Sequence, residues 1–554
     1  MGNAKIHRRN SSLQLSPIYP IGNNGRPFGE VMVTEKIDTI SSHVFQANDL
    51  VTSIDIRPQE ATLEESCFKD CVNLSNIVLP EKLQELPEYC FSNCSSLTAI
   101  TIPDTVQTLG TGCFESSGIE TIAIPDGVEL IPVYCFNSCS KLNNINIPNS
   151  VTTFDKDCFA NTPNLTEITL PISLNTIMIY GLRNTNFQKI NVPEEVSEIY
   201  CGGFIMSNST CSNEAITAIA SKMSSNSKTG NFRYCTALTE VTINYLCGQD
   251  FEGCNNLEKC TILNAQLRDD GEYGLIPSSS GGQNFVSCSK LHTVVLPDGL
   301  TVIDSSVFYS CIALQNISLP STLLTIESSA FQFCSGLTEI TLPKNLVSIK
   351  AAAFSNSGLT DVIVESTSNI EVLSGAFTGC VNLTNESVYN ISQKFGTINT
   401  YIFKGCTGLT DVTVSRLWTG MFQDCTNLVS LTSQKLGGSG KLGAICLKNC
   451  SSLKNLTLPK LTVQDTNLTT TNEDSYCFSG CTALENVVLG TGWAVSVRFD
   501  VSENLTVDCM VNMFESLANL TDSDAQTLTL GAVNLAKLTE EQIAVATNKN
   551  WIIK

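Results

Sequence analysis

The stretch CFKDCVNLSNIVLP at Cys67–Pro80 returns as CFSNCSSLTAITIP at Cys90–Pro103 and as CFNSCSKLNNINIP at Cys135–Pro148. A unit of this size cannot bury its own apolar face, so a fixed period implies a stack in which each unit closes the core of its neighbour. Working outward from these copies, an aromatic or aliphatic anchor opens 20 units between Phe45 and Phe514, among them Leu182, Phe204 and Leu447. Most early spacings are 22 or 23 residues, and the run Phe285, Phe308, Phe331, Phe354, Phe377 keeps strictly to 23. The shared pattern is F-x-x-C-x-x-L-x-x-I-x-[IL]-P-x-x-[LV]-x-x-[LI].

Within one unit, Ile100 and Ile102 lie two apart and so point to one face of a short strand. Pro103 ends that strand because it has no N–H to give to a ladder. The pairs Leu83 and Leu86, Val106 and Leu109, and Leu323 and Ile326 follow at a spacing of three, which suits a 3₁₀ or short helical return. The predicted fold is an α/β repeat solenoid with one short parallel strand per coil. With strands about 4.8 Å apart, such a stack would extend roughly 100 Å.

Over about residues 37–530 the pattern resembles the BspA-like leucine-rich repeat of proteins from gut bacteria or their phages, matching its AF or CF, C, L, I and LP almost position for position. That resemblance implies a leucine-rich-repeat arc and a role in surface binding or adhesion, with no single ligand.

Composition narrows the partners. With 53 acidic and 32 basic residues the net charge is −21, which argues against duplex nucleic acid or an anionic membrane as principal partner. No run of 18 apolar residues exists to span a bilayer. Lys5, Arg8 and Arg9 imitate the start of a signal peptide, but no apolar core follows them, so export by the general secretory route is not expected. The sequons at Asn93, Asn164, Asn316, Asn382 and Asn455 follow from the repeat's own taste for Asn, Ser and Thr.

The 25 cysteines invite a disulfide or metal reading, but they keep the register of the repeat. Thirteen occupy the third place after an anchor, from Cys71 to Cys481, and seven stand just before one, from Cys67 to Cys477. Parallel stacking gives poor disulfide geometry, so the expectation is a reduced column of small buried hydrophobes. Zinc would need four converging ligands, and His7, His43 and His292 are the only histidines. The same scarcity leaves no nucleophile with a base. GGSGKLG at Gly437–Gly443 lacks the Ser or Thr and the glycine spacing of a phosphate loop. No enzyme, cofactor or metal is expected.

On the strand stack the outward residues form two polar columns. One runs Asn76, Thr121, Asn144, Glu167, Glu240, Asn316, Glu339, Asp361, Asp411, Asn455; the other runs Thr101, Asn146, Thr169, Asn191, Thr242, Ser318, Thr341, Thr413, Thr457. Two readings stay open, a solvated parallel sheet or a shallow face for protein or glycan. Individual binding residues cannot be singled out. The interruptions Ile205–Asn231, Leu263–Asn284, Glu386–Ile402, Thr432–Ile445, Lys460–Tyr476 and Gly490–Met513 are expected as exposed loops, either functional or tolerated.

The predicted organisation is an extended docking arm over residues 1–35, the repeat solenoid with loop insertions over 36–513, and a cap over 514–554 made of a last strand and a short helix. Thr539 and Gln542 fit a capping box at that helix. Two functions fit. One is a phage virion accessory (fibre, spike or head decoration), assembled in the host cytoplasm. Its arm would dock on other virion proteins and its solenoid would meet a protein or glycan on the host surface. The other is an extracellular or cell-surface bacterial adhesin binding host or matrix protein.

Overall fold

The computed structural model describes residues 29–33, 38–268, 271–276, 283–398, 400–435, 442–462, 466–472 and 476–554, and the strands Ala4–Lys5 and Ser12–Leu13. The chain divides into two compact units, one comprising residues 1–266 and 276–289 and the other 267–275 and 290–554. Each is a parallel β-solenoid, and the chain makes about 22 turns of about 23 residues.

The coil has two strands where the sequence suggested one. Asn76–Val78 belongs to a first sheet and Glu85–Leu86 to a second, in which Leu86 pairs in register with Leu109. The Leu83–Leu86 spacing therefore marks a turn running into a second strand, and helical returns are minor. Of the two N-terminal strands, Ala4–Lys5 joins the first sheet by pairing with Gly29–Val33, and Ser12–Leu13 pairs with Thr39–Ile40, which pairs onward with Thr62–Leu63.

The repeated phrase itself builds the third side of the coil, from turns. Cys90 N–H donates to Pro87 O at 3.3 Å and Cys94 N–H to Phe91 O at 3.2 Å. In each of these turns the third residue is left-handed, Tyr89 at φ 52° and Asn93 at φ 59°, the sign a type II turn requires. Left-handed residues flank nearly every anchor two places away, which explains the abundance of Gly, Asn, Asp and Ser there. Alternate N–H groups point to the next coil: Ser66 to Glu88 O, Phe68 to Cys90 O and Asp70 to Ser92 O, at 2.8, 3.1 and 2.8 Å. Every turn is thus tied to its neighbour by backbone as well as by packing.

The anchors form a spine of stacked rings. Phe45, Phe68, Phe91, Phe114, Phe136 and Phe159 follow one another at 5.5–5.6 Å between centroids in the first unit. In the second unit Phe308, Phe331, Phe354, Phe377, Phe403 and Phe422 do so at 5.3–5.8 Å. Two anchors differ from the sequence reading. Met206, fully buried, holds the spine position in its coil, whereas Phe204 is the left-handed residue two places before it. Phe499 stacks on Phe478 at 5.4 Å, and Phe514 lies in a helix.

The cysteine after each anchor is more than a small hydrophobe. Twelve thiols of this column, from Cys71 to Cys481, lie 2.9–3.2 Å from the carbonyl oxygen of the preceding coil's anchor and donate to it. All 25 cysteines are buried thiols with no disulfide among them; even Cys67 and Cys90, with sulfurs 3.5 Å apart, are in hydrogen-bond contact only. Burial pushes the thiols of Cys139 and Cys380 up to about 11 and those of Cys334 and Cys425 up to about 12, so these four stay protonated and unreactive.

Three of the predicted loops contain helices that take the place of a strand. These are α1 (Asn213–Ala220), α2 (Asn385–Ser392) and α3 (Val507–Ser516). Their side chains meet the strand edges that a backbone would otherwise pair. Ser387 Oγ accepts from Val362 N–H and donates to Thr360 O, Asn213 exchanges two bonds with Thr239, and Cys509 Sγ accepts from Val487 N–H. Ala215, Ile216, Ile219 and Ala220 bury one face of α1, a helical spacing hidden inside what looked like an insertion. At the C-terminal end the strand Gln526–Thr529 is followed by α4 (Ala532–Leu535), α5 (Glu540–Thr547) and a further strand, Trp551–Ile553, that pairs back on it. The capping box forms: Gln542 N–H donates to Thr539 Oγ1 at 3.2 Å and Thr539 N–H to Gln542 Oε1 at 2.9 Å.

Candidate binding face

The first polar column is exposed at all ten positions, and the second is exposed or half-buried. Along much of its length this face is satisfied by itself. In the first unit, Asn76 Nδ2 donates to Ser53 Oγ at 3.1 Å, and Asn191 Nδ2 donates to Glu167 at 2.9 Å and Thr169 at 3.2 Å. Acids there meet cations in the next coil, Glu240 with Lys259 at 2.6 Å and Glu167 with Lys189 at 3.5 Å. The Asn191 bond, then Lys189, holds the Glu167 carboxyl below its ordinary value. In the second unit Asn486 Nδ2 donates to Asn455 Oδ1 at 3.0 Å, and Lys454 pairs with Glu485 at 2.9 Å.

That self-matching breaks over four coils of the second unit. Glu339 stands in direct register with Asp361, like charges side by side across a parallel pair. Among the described residues neither has an ion pair; Asp361 accepts only from Thr360 and Thr384 hydroxyls, at 3.1 and 3.4 Å. Beside Glu339 opens a groove of about 1180 Å³ along Thr293–Leu296, Gln315–Ser321 and Thr338–Thr341, with Asp298 and Glu365 on its walls. A second hollow of about 560 Å³ shares Glu339 and runs over Asp361–Val364 to Glu386, Asn390 and Lys394 on and just beyond α2. Val295 and Ile363, 45% and 46% exposed, give the floor an apolar component. A smaller hollow of about 540 Å³ in the first unit, over Asn76, Thr101, Thr121, Asn144 and Asn146, carries no charge.

Other candidates from the sequence do not assemble. His43 lies 3.7 Å from Glu65 on the surface, and the His292 ring lies 2.9 Å from the Thr293 hydroxyl. His7 and Gly437–Lys441 lie outside the described residues. Among the described residues no cluster of His, Cys, Asp and Glu could hold a metal ion, and no helix is long and apolar enough to cross a membrane.

A stack of short parallel strands with a leucine and isoleucine interior and an open polar face defines a leucine-rich-repeat solenoid. The BspA-type leucine-rich repeat region matches residues 24–142, 61–183, 164–273, 278–384 and 371–492, so the chain belongs to that family, a non-enzymatic repeat type. It is similar to a leucine-rich repeat protein of Bacteroides ovatus, with 23% identity over 74% of this chain and 91% of that one and a TM-score of 0.46. It also resembles a leucine rich cell surface protein of Faecalibacterium prausnitzii, at 21% identity over 61% and 88% with a TM-score of 0.31. A third likeness is a leucine-rich repeat protein of Eubacterium ventriosum, at 20% identity over 60% and 83% with a TM-score of 0.33. No curated protein matches the chain. Leucine-rich-repeat folds generally mediate protein binding.

Proposed function

We propose that this protein is a non-catalytic binding protein that works outside the cell, gripping a protein on a cell surface with the strand face between Thr293 and Lys394. The observation that carries this reading is the groove over these coils, the stretch where the face sets Glu339 beside Asp361 while Glu167 and Glu240 of the same column are each paired with a lysine. An exposed surface that keeps like charges together gains from a partner that brings the opposite charge, so the partner segment is basic and extended. BspA-like repeat proteins are typically found at cell surfaces or outside the cell, which agrees.

A second reading, a virion accessory assembled in a host cytoplasm, is favoured by one observation: 25 buried thiols with no disulfide suit folding under reducing conditions. Immunogold labelling of producing cultures separates the two, gold on cells supporting the first and gold on particles the second. The binding face itself is tested with Glu339→Lys plus Asp361→Lys, compared with Glu129→Lys on another face of the stack. The paired reversal should lower adhesion of the labelled protein to intact host cells at least tenfold, and the control should leave it unchanged. Equal effects from both would rule out the face.

A further inference from the structure

We propose that Asp250 is a proton-operated latch in the core of the first unit: when protonated, its carboxyl O–H supplies the donor that the buried polar column around it lacks. The position just before the spine anchor is filled by Cys67, Cys90, Cys113, Cys135 and Cys158 in one run of coils, and by Val307, Ala330, Ala353 and Ala376 in another. In three successive coils it is instead Asn231, Asp250 and Asn284, each with no measurable exposure. Asn231 N–H and Nδ2 both donate to Asp250 Oδ1 at 3.0 Å, and Cys247 N–H donates to Oδ2 at 2.6 Å. Asn231 Nδ2 also donates to Lys228 O at 2.6 Å, and Asn284 Nδ2 donates to Cys247 O.

These bonds fix both amide orientations, since a flip of either would set oxygen against oxygen. They leave Asn231 Oδ1 and Asn284 Oδ1 buried with no donor. A column with three acceptor groups and no spare donor is costly in an apolar core, and a neutral carboxyl adds the missing hydrogen. The groups that face Asp250 are thiols, Cys201, Cys247, Cys254 and Cys260; among the described residues no lysine, arginine or histidine compensates its charge and no second carboxylate faces it.

Burial, opposed by the three N–H bonds, raises the carboxyl from 3.8 to about 7. Because the folded value lies above the unfolded one, the stabilisation is complete below about pH 4 and is lost as the pH rises to about 7, after which stability stays level. The latch therefore loosens these coils at neutral pH and tightens them in acid.

Hydrogen exchange on the whole protein tests this. Protection of the Phe232 and Phe251 amides, which donate to Asp250 O and Asn284 O, should fall roughly tenfold per pH unit between about pH 4 and 7 relative to those of Phe91 and Phe114, then level off. Asp250→Asn should abolish the slope. Asp250→Ala, which installs the residue the second unit carries at this position, should do the same. A slope that survives in either variant overturns the proposal. So does protection that follows sodium or potassium concentration at fixed pH, which would mean that a cation and not a proton completes the column.

Discussion

Replacing Phe114 with alanine should open the stack locally, by an amount the structure fixes. The ring is fully buried between Phe91, at 5.6 Å and 14° interplanar angle, and Phe136, at 5.5 Å and 1°. Removing it creates a cavity worth about 3–5 kcal/mol, since neighbours tied by backbone bonds on both sides cannot collapse into it. Leucine at the same place keeps most of the burial and loses mainly the two ring contacts, about 0.5–1.5 kcal/mol each. The spine already tolerates this exchange, because Leu182 and Met206 occupy equivalent positions and are fully buried. Stability in a repeat array is dominated by nearest-neighbour terms, so the loss should be read locally. In hydrogen exchange, the Phe91 and Phe114 amides, which donate to Cys113 O at 2.8 Å and Cys135 O at 3.0 Å, are the reporters. Their protection should fall about a thousandfold in Phe114→Ala and about tenfold to a hundredfold in Phe114→Leu. The amides of Phe331 and Phe354 should not change. Equal losses for alanine and leucine, or a loss spread evenly over both units, would refute the account of a stacked spine.

Two smaller perturbations probe the same coil. Gly112→Ala should cost about 2 kcal/mol in urea unfolding: its φ is +59°, and a Cβ would fall 2.5 Å from the Tyr89 ring that lies over it. Combined with Tyr89→Ala the cost should be less than additive, and strict additivity would show that the ring does not cover the glycine. Cys94→Ala should lower stability by about 1 kcal/mol, because Phe68 O loses the thiol donor 3.1 Å away; no change would reduce the cysteine to a space filler.

The repeat's stacking, its inward isoleucines and its outward polar columns were all legible in the sequence, because a strand's alternation writes burial directly into residue type. Ile122 and Ile145, buried between exposed Thr121, Ala123, Asn144 and Asn146, show this well. The second strand was not legible: two residues such as Glu85–Leu86 are too short to display a period. The wrong anchors at Phe204 and Phe514 came from counting aromatic rings, when the position is set by the left-handed residues on either side of it. Phe204 and Asn208, both with positive φ, bracket Met206. Of the face, the column residues could be named, but the groove could not. Glu339 resembles Glu167 and Glu240 in sequence, and only the register shows that its neighbour is Asp361 where theirs are Lys189 and Lys259. Asn231, Asp250 and Asn284 stand directly before the anchors Phe232, Phe251 and Phe285, but their sequence alone did not show that this place is fully buried and polar, since a cysteine or alanine fills it in other coils.

The central claim is that the repeated CF-x-x-C phrase is a packing code and carries no redox or metal chemistry. Titrating the purified protein with a thiol-reactive disulfide reagent, without reductant, tests it most directly. The account predicts no fast-reacting thiol in the native state and all 25 after unfolding. A rapidly labelled native pair, or fewer than 25 thiols in the unfolded chain, would contradict it.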